Sequence, residues 1–282
     1  MFPNLSPGAI GIRATIEETV SLAKATGFKG VDVDLGQAES YGVSRTRSLL
    51  AENALVIGGW GLPVDYQGEE QKFKETVGRL PHWASLARDL GCTRFATWML
   101  PGSNEFTFEE NFARMSRRFR EICLVLKDHG CRLGVEFIGP KTLRAQFKHE
   151  FIWNLPGMLK LCDAVGTGNI GILLDCWHWY TSGGDIAQIT GLRSDQVVYV
   201  HVNDAPAGIA RDQQVDNVRA MPMETGVIDL PGFLRALHEI GYDGPVTCEP
   251  FDKRLAGMPP LEAARATAAA MQKAWKAAGL PW

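Results

Sequence analysis

The chain has 282 residues, 45% hydrophobic and 22% charged, which suits one large α/β domain or two small ones around a substantial core. Its 29 Lys and Arg against 32 Asp and Glu leave a formal net charge of -3, so no basic surface forecasts a nucleic-acid or anionic-membrane partner. No apolar run approaches the roughly 20 residues that span a bilayer.

The opening Met1-Phe2-Pro3-Asn4-Leu5-Ser6-Pro7 lacks a basic stretch followed by an apolar one, so no secretory leader is expected and a cytoplasmic location is the default. Short β-rich runs follow at 9–12, 30–34, 56–60, 94–98, 131–136, 170–175, 197–203 and 246–250. Helical patterns lie between and after them, at 15–26, 44–54, 70–90, 107–129, 155–164, 185–190, 230–240 and 261–277. The last is Ala-rich, with Pro259-Pro260 marking its start. Gly27, Gly91, Gly130 and Gly241 each stand between a helix and a strand, where a left-handed cap is expected. Eight strands alternating with eight helices predict an α/β fold, a (β/α)8 TIM barrel in a single domain over 1–282. A doubly wound open sheet is the alternative architecture.

Two features are set aside. Gly166-Thr167-Gly168-Asn169-Ile170-Gly171 matches the dinucleotide fingerprint in letters, but it closes a helix and opens a strand, the reverse of what a pyrophosphate loop requires. Cys92, Cys123, Cys131, Cys162, Cys176 and Cys248 form no C-x-x-C pair and read as small core residues.

In such barrels the chemistry sits at the C-terminal ends of strands. The last four predicted strands end in Glu136, Asp175, His201 and Glu249. Carboxylates crowded in an apolar barrel mouth repel one another and are costly to bury. A divalent cation removes both problems. Three carboxylate oxygens and one imidazole nitrogen suit Mn²⁺, Mg²⁺ or Co²⁺, and Zn²⁺ is also compatible. Four separate strand-end caps would be the bland alternative.

The segments Gly134-Val135-Glu136, Leu174-Asp175-Cys176-Trp177-His178, Val200-His201-Val202-Asn203-Asp204 and Gly241-Tyr242-Asp243-Gly244-Pro245 through Glu249-Pro250 carry a resemblance. The chain resembles the sugar phosphate isomerase/epimerase branch of the xylose-isomerase-like TIM barrel superfamily. That branch includes ketose 3-epimerases, hydroxypyruvate isomerase and inosose dehydratase. The resemblance implies that Glu136, Asp175, His201 and Glu249 bind one divalent metal ion, Mn²⁺ first among the candidates. It implies that Glu136 and Glu249 are also the catalytic acid/base pair, working through a metal-stabilised enediolate. It places His178, three residues after Asp175, against substrate oxygens.

This sequence departs from the ketose epimerases at two positions. Thr142 stands where they have a second glutamate, and Ala207 where they have an arginine. Lys141 and Arg211 are the neighbouring cations that could bind substrate in their place. Trp60 and Trp98, at the ends of the third and fourth strands, offer aromatic walls. The pattern-poor segment 204–225 is expected to form part of a lid.

The function these readings favour is a metal-dependent isomerase or epimerase of a sugar, keto-sugar or polyol derivative. A dehydratase or other lyase using the same bases is the alternative. A non-catalytic sugar-binding barrel is a third reading, and intact Glu136 and Glu249 argue against it. An endonuclease IV-like nuclease would need extra histidines where Asp34 and Trp60 stand. The expected partner is a small carbohydrate substrate, with no nucleic acid and no membrane; a homo-oligomer is compatible with the sequence.

Overall fold

The computed structural model describes residues 1–282. Strands β1 (Phe2–Leu5), β2 (Gly30–Val31), β3 (Val56–Ile57, resuming as Trp60–Gly61), β4 (Arg94–Met99), β5 (Arg132–Phe137), β6 (Ile170–Asp175), β7 (Val197–Val202) and β8 (Pro245–Cys248) lie parallel in one sheet. The first piece of β3 pairs with β2, the second with β4. β8 pairs with both β7 and β1. The two ends of the ladder therefore meet within one chain segment, and the sheet closes as an eight-membered ring. This is the (β/α)8 barrel that the alternation of strands and helices predicted.

Long helices wrap the ring, including Ile16–Thr26, Glu70–Asp89, Phe108–Asp128 and Pro260–Ala278. No helix is long and apolar enough to cross a membrane. The four glycines expected to cap helices ahead of strands have φ between 70° and 81°. Gly166 and Gly168 likewise have positive φ and form the turn that the segment's position implied. All six cysteines are unpaired; five are buried and Cys162 is partly buried.

The predicted strand at 9–12 is a correction. Gly8–Ile10 form a 3-10 turn, and the first strand is Phe2–Leu5. Pro3 does not prevent this, because β1 uses its carbonyl to accept the Lys29 N–H at 3.0 Å. A helix at Leu35–Tyr41 also precedes the one expected at 44–54; the Asp34 carboxylate caps it by accepting the Gln37 N–H.

The break in β3 falls at Gly58-Gly59. A Cβ on Gly59 would lie 2.7 Å from the Tyr199 ring, and one on Gly58 would collide with the Asn4 amide. Backbone without side chains is what lets these two groups fill the barrel interior here.

Candidate active site

Strand register assembles the polar layer. Asp175 on β6 lies beside His201 on β7, and Trp98 on β4 lies beside Glu136 on β5. Glu249 follows β8 and keeps the ladder going by donating its N–H to the Val202 carbonyl. One potential ligand atom from each of Glu136, Asp175, His201 and Glu249 lies within 4.8 Å of every other. His201 Nδ1 stands 3.4 Å from Glu136 Oε1, 3.3 Å from Glu249 Oε2 and 3.8 Å from Asp175 Oδ2.

These distances fit a shared cation. Ligand atoms each about 2.1 Å from one centre are separated by roughly 3 to 4 Å. Glu136 Oε1 and His201 Nδ1 are buried without a well-formed hydrogen bond to any protein group, as metal-facing atoms would be. Asp175 is further fixed from behind. It caps the helix Cys176–Thr181, accepting the Trp177 N–H at 2.6 Å, and Asn203 Nδ2 approaches both of its oxygens.

The structure adds a residue that the sequence did not single out. Arg219, within the 204–225 segment, is buried in the site. Its Nη1 donates to Asp175 Oδ2 at 2.7 Å and to Glu249 Oε2 at 3.1 Å. Its guanidinium packs over the rings of Trp177 and Phe251. Its Nη2 is 3.0 Å from His178 Nε2, while His178 Nδ1 faces the Gly139 N–H at 3.2 Å. An imidazole cannot accept at both nitrogens. One contact therefore sets donor against donor in either tautomer.

The other expected site residues are placed as follows. His178 is buried behind Arg219. Lys141 pairs with exposed Asp212 at 2.9 Å, and Arg211 packs over the Tyr180 ring; neither lines the main cavity. Trp60 is buried and donates its indole N–H to the Cys92 carbonyl, while Trp98 is 48% exposed at the cavity wall. Thr142 donates to the Gln214 carbonyl, so it ties down the long loop.

That loop is pinned at its base by Asp204. Its carboxylate accepts four backbone N–H groups, from Ala205, Thr225, Gly226 and Ile228. No residue of 204–225 lines the main cavity; the loop instead closes over β6 to β8 and delivers Arg219 there.

The cavity itself is about 780 Å³ and runs from Glu136, His201 and Glu249 across the first half of the barrel. There its lining includes the polar side chains of Ser6, Arg13, Glu18, Asp32, Asp34 and Gln37. Trp60 and Trp98 line it as well.

Electrostatics separate the two outer glutamates. Burial pushes Glu136 up to about 7, against the pull of His201. Glu249 is held below its ordinary value: burial opposes this, but His201 and Arg219 prevail. Burial, reinforced by Arg219, lowers His178 to about 4. Asp175 sits at about 2; burial opposes this, and Arg219, the neighbouring histidines and the Trp177 N–H together outweigh it.

A pH-dependent response to metal follows. Without metal, the Glu136 proton is favoured in the folded state. Its contribution to stability is complete below the unfolded value of about 4.5 and is lost as pH rises through about 7. His178 acts oppositely: its contribution is complete above about 6.5 and lost as pH falls toward about 4. A divalent cation needs Glu136 ionised. Added Mn²⁺ is expected to raise the melting temperature more at pH 8 than at pH 5.5. Equal shifts at both pH values, measured by thermal denaturation, would contradict this account of Glu136.

Comparison with known proteins agrees with the geometry. The family model described as xylose isomerase-like TIM barrel matches residues 20–274. The chain is 24% identical over 206 residues to an inosose isomerase of Bacillus velezensis, covering 72% of this chain and 66% of that protein. It thus spans just under two thirds of that relative's length. It is 23% identical over 250 residues to a ketose 3-epimerase of Arthrobacter globiformis, covering 86% of this chain and 78% of that protein. Among solved structures, a xylose isomerase domain protein from Alicyclobacillus acidocaldarius superposes with a TM-score of 0.87 at 29% identity, covering 99% of each chain.

Proposed function

The chain belongs to the xylose isomerase-like TIM barrel family, and we propose that it is a divalent-metal-dependent isomerase or epimerase of a polyhydroxylated ketone. One observation carries the reading. Glu136 and Glu249, from the outer two of the four ligand-bearing strands, belong to the converging cluster and also line the cavity. Glu136, Asp175, His201 and Glu249 would hold the cation, with Mn²⁺ the first candidate and Mg²⁺, Co²⁺ and Zn²⁺ the others. Bound there, it would supply positive charge beside a carbonyl and the negative charge that develops on it.

The chain's own residues divide the remaining work. Glu249, held ionised, takes the proton from the carbon next to the carbonyl. Glu136, from the strand at the other edge of the cluster, returns a proton drawn from solvent. Arg219, backed by His178 at 3.0 Å, donates to Asp175 and Glu249 and so orients both carboxylates. The exposed indole of Trp98 offers a face to the C–H surface of a sugar. Five carboxylates line the cavity, those of Glu18, Asp32, Asp34, Glu136 and Glu249, with Arg13 the lining arginine. That balance favours an uncharged substrate over a phosphate or carboxylate.

The test is a panel of ketoses, keto-inositols and 3-keto-sugars in D2O with metal-loaded protein. Deuterium should enter the carbon next to the carbonyl of at least one compound, with its composition otherwise retained. Loss of water from the product would mark a dehydratase instead. No exchange with any member would overturn the reading.

A further inference from the structure

Asp32, at the end of β2, stands outside the four-residue cluster but lines the same cavity as Glu136, His201 and Glu249. Three parts of the barrel orient its carboxyl group. Oδ1 accepts from Asn4 Nδ2 on β1 at 2.9 Å and from the Gly59 N–H in the break of β3 at 3.2 Å. Oδ2 accepts from the Tyr199 hydroxyl on β7 at 2.5 Å. Tyr199 and Asn4 both also contact Thr247 on β8. The carboxyl group is thus held by β1, β3 and β7, with β8 bracing two of its donors.

No arginine, lysine or histidine forms an ion pair with Asp32. Asp32 is partly buried, and burial raises its pKa against the pull of Tyr199, Asn4, Ser6 and the more distant His201. A carboxylate has about four lone-pair directions. The three donors above use three of them at an oxygen pair that faces a cavity, and the Ser6 side chain, which lines the same cavity, also reaches the group. The glycine pair at 58–59 is what makes room for Asn4 and Tyr199 to supply those donors. A neutral side chain would close the barrel at lower cost, whereas an oriented acceptor facing the cavity suits a hydroxyl donor.

We propose that Asp32 is a specificity-determining residue that accepts a hydrogen bond from a substrate hydroxyl remote from the reacting carbonyl. The proposal rests on the reading above that a polyhydroxylated ketone occupies this cavity. It adds a second point of attachment, from β2, to the one formed by β5 to β8. Asp32 takes no part in proton transfer in this account.

A positioning role is the competing explanation, because the Tyr199 ring meets His201 edge-on at 5.4 Å between centroids. The two differ in what they predict. The test uses metal-loaded wild type and Asp32→Asn, titrated calorimetrically with myo-inositol and D-fructose, then with their monodeoxy derivatives. Binding does not require turnover, so this test can succeed even where the proposed reaction fails. Loss of one hydrogen bond to a charged group should weaken the better-bound polyol by about 10- to 100-fold in Asp32→Asn. One deoxy derivative should bind wild type and variant equally, because its missing hydroxyl is the one Asp32 holds. Metal content should stay unchanged.

Equal binding of the polyols by both proteins would overturn the proposal. So would a loss of metal and of all deoxy derivatives alike, which would mark a positioning role through Tyr199. Binding of neither polyol to wild type would overturn it too. If Asp32→Asn does not fold, the deoxy series on wild type decides: at least one remote position must lose about 10-fold or more, and tolerance at every position overturns the proposal.

Discussion

Glu249→Gln should lower solvent-deuterium entry into the substrate's carbon acid by at least about 100-fold, the lower end of what a positioned general base contributes. The substitution keeps the side-chain shape and an oxygen toward the cluster but removes the base. Glu136, Asp175 and His201 remain to hold the cation, so the variant should retain metal. Paired exchange and metal-content measurements separate the two effects. Unchanged exchange would remove Glu249 as a required base, even with the metal in place. Arg219 makes the effect sharper, because its Nη1 donates to the Glu249 carboxylate at 3.1 Å and favours the ionised, basic form.

The second large effect concerns metal itself. Asp175→Asn combined with His201→Gln should reduce divalent-cation affinity by at least about 100-fold, since losing even an outer-shell partner of a metal ligand costs 10- to 100-fold. These replacements are chosen over alanine because Asp175 is buried, caps the Cys176–Thr181 helix and neutralises Arg219. Stripping one partner from a buried pair costs about 3–5 kcal/mol; asparagine still offers Trp177 an acceptor. Metal analysis after dialysis should find about one cation per chain in wild type and close to none in the double variant. Full occupancy in the variant would place the metal elsewhere.

Much of this site was legible in the sequence because its rule is local. A parallel barrel strand is a short apolar run, and its C-terminal end is where a ligand sits. Glu136, Asp175, His201 and Glu249 each terminate or follow such a run, and the four meet as that rule implies. What the sequence did not reveal depends on contacts distant along the chain. Arg219 reaches the cluster only because Asp204 gathers the N–H groups of Thr225, Gly226 and Ile228 and folds the loop back. No periodicity marks such a residue. Arg211, the arginine singled out in the same loop, lies over Tyr180 instead.

Asp32 was hidden for a related reason. Its partners Asn4, Gly59 and Tyr199 sit on three different strands, and the first of those strands was placed several residues too late. With β1 at Phe2–Leu5, Asn4 points into the interior beside Thr247. The polar first half of the cavity then becomes visible. Pro3, which reads as a strand breaker, is accommodated because its carbonyl does the pairing.

The proposed reaction moves a proton next to a carbonyl and needs the four-residue cation site. Deuterium exchange by wild type, before chelation, after chelation and after Mn²⁺ is restored, tests it most directly. Exchange should vanish on chelation and return with Mn²⁺. Undiminished exchange by protein shown to contain no divalent metal would contradict the claim.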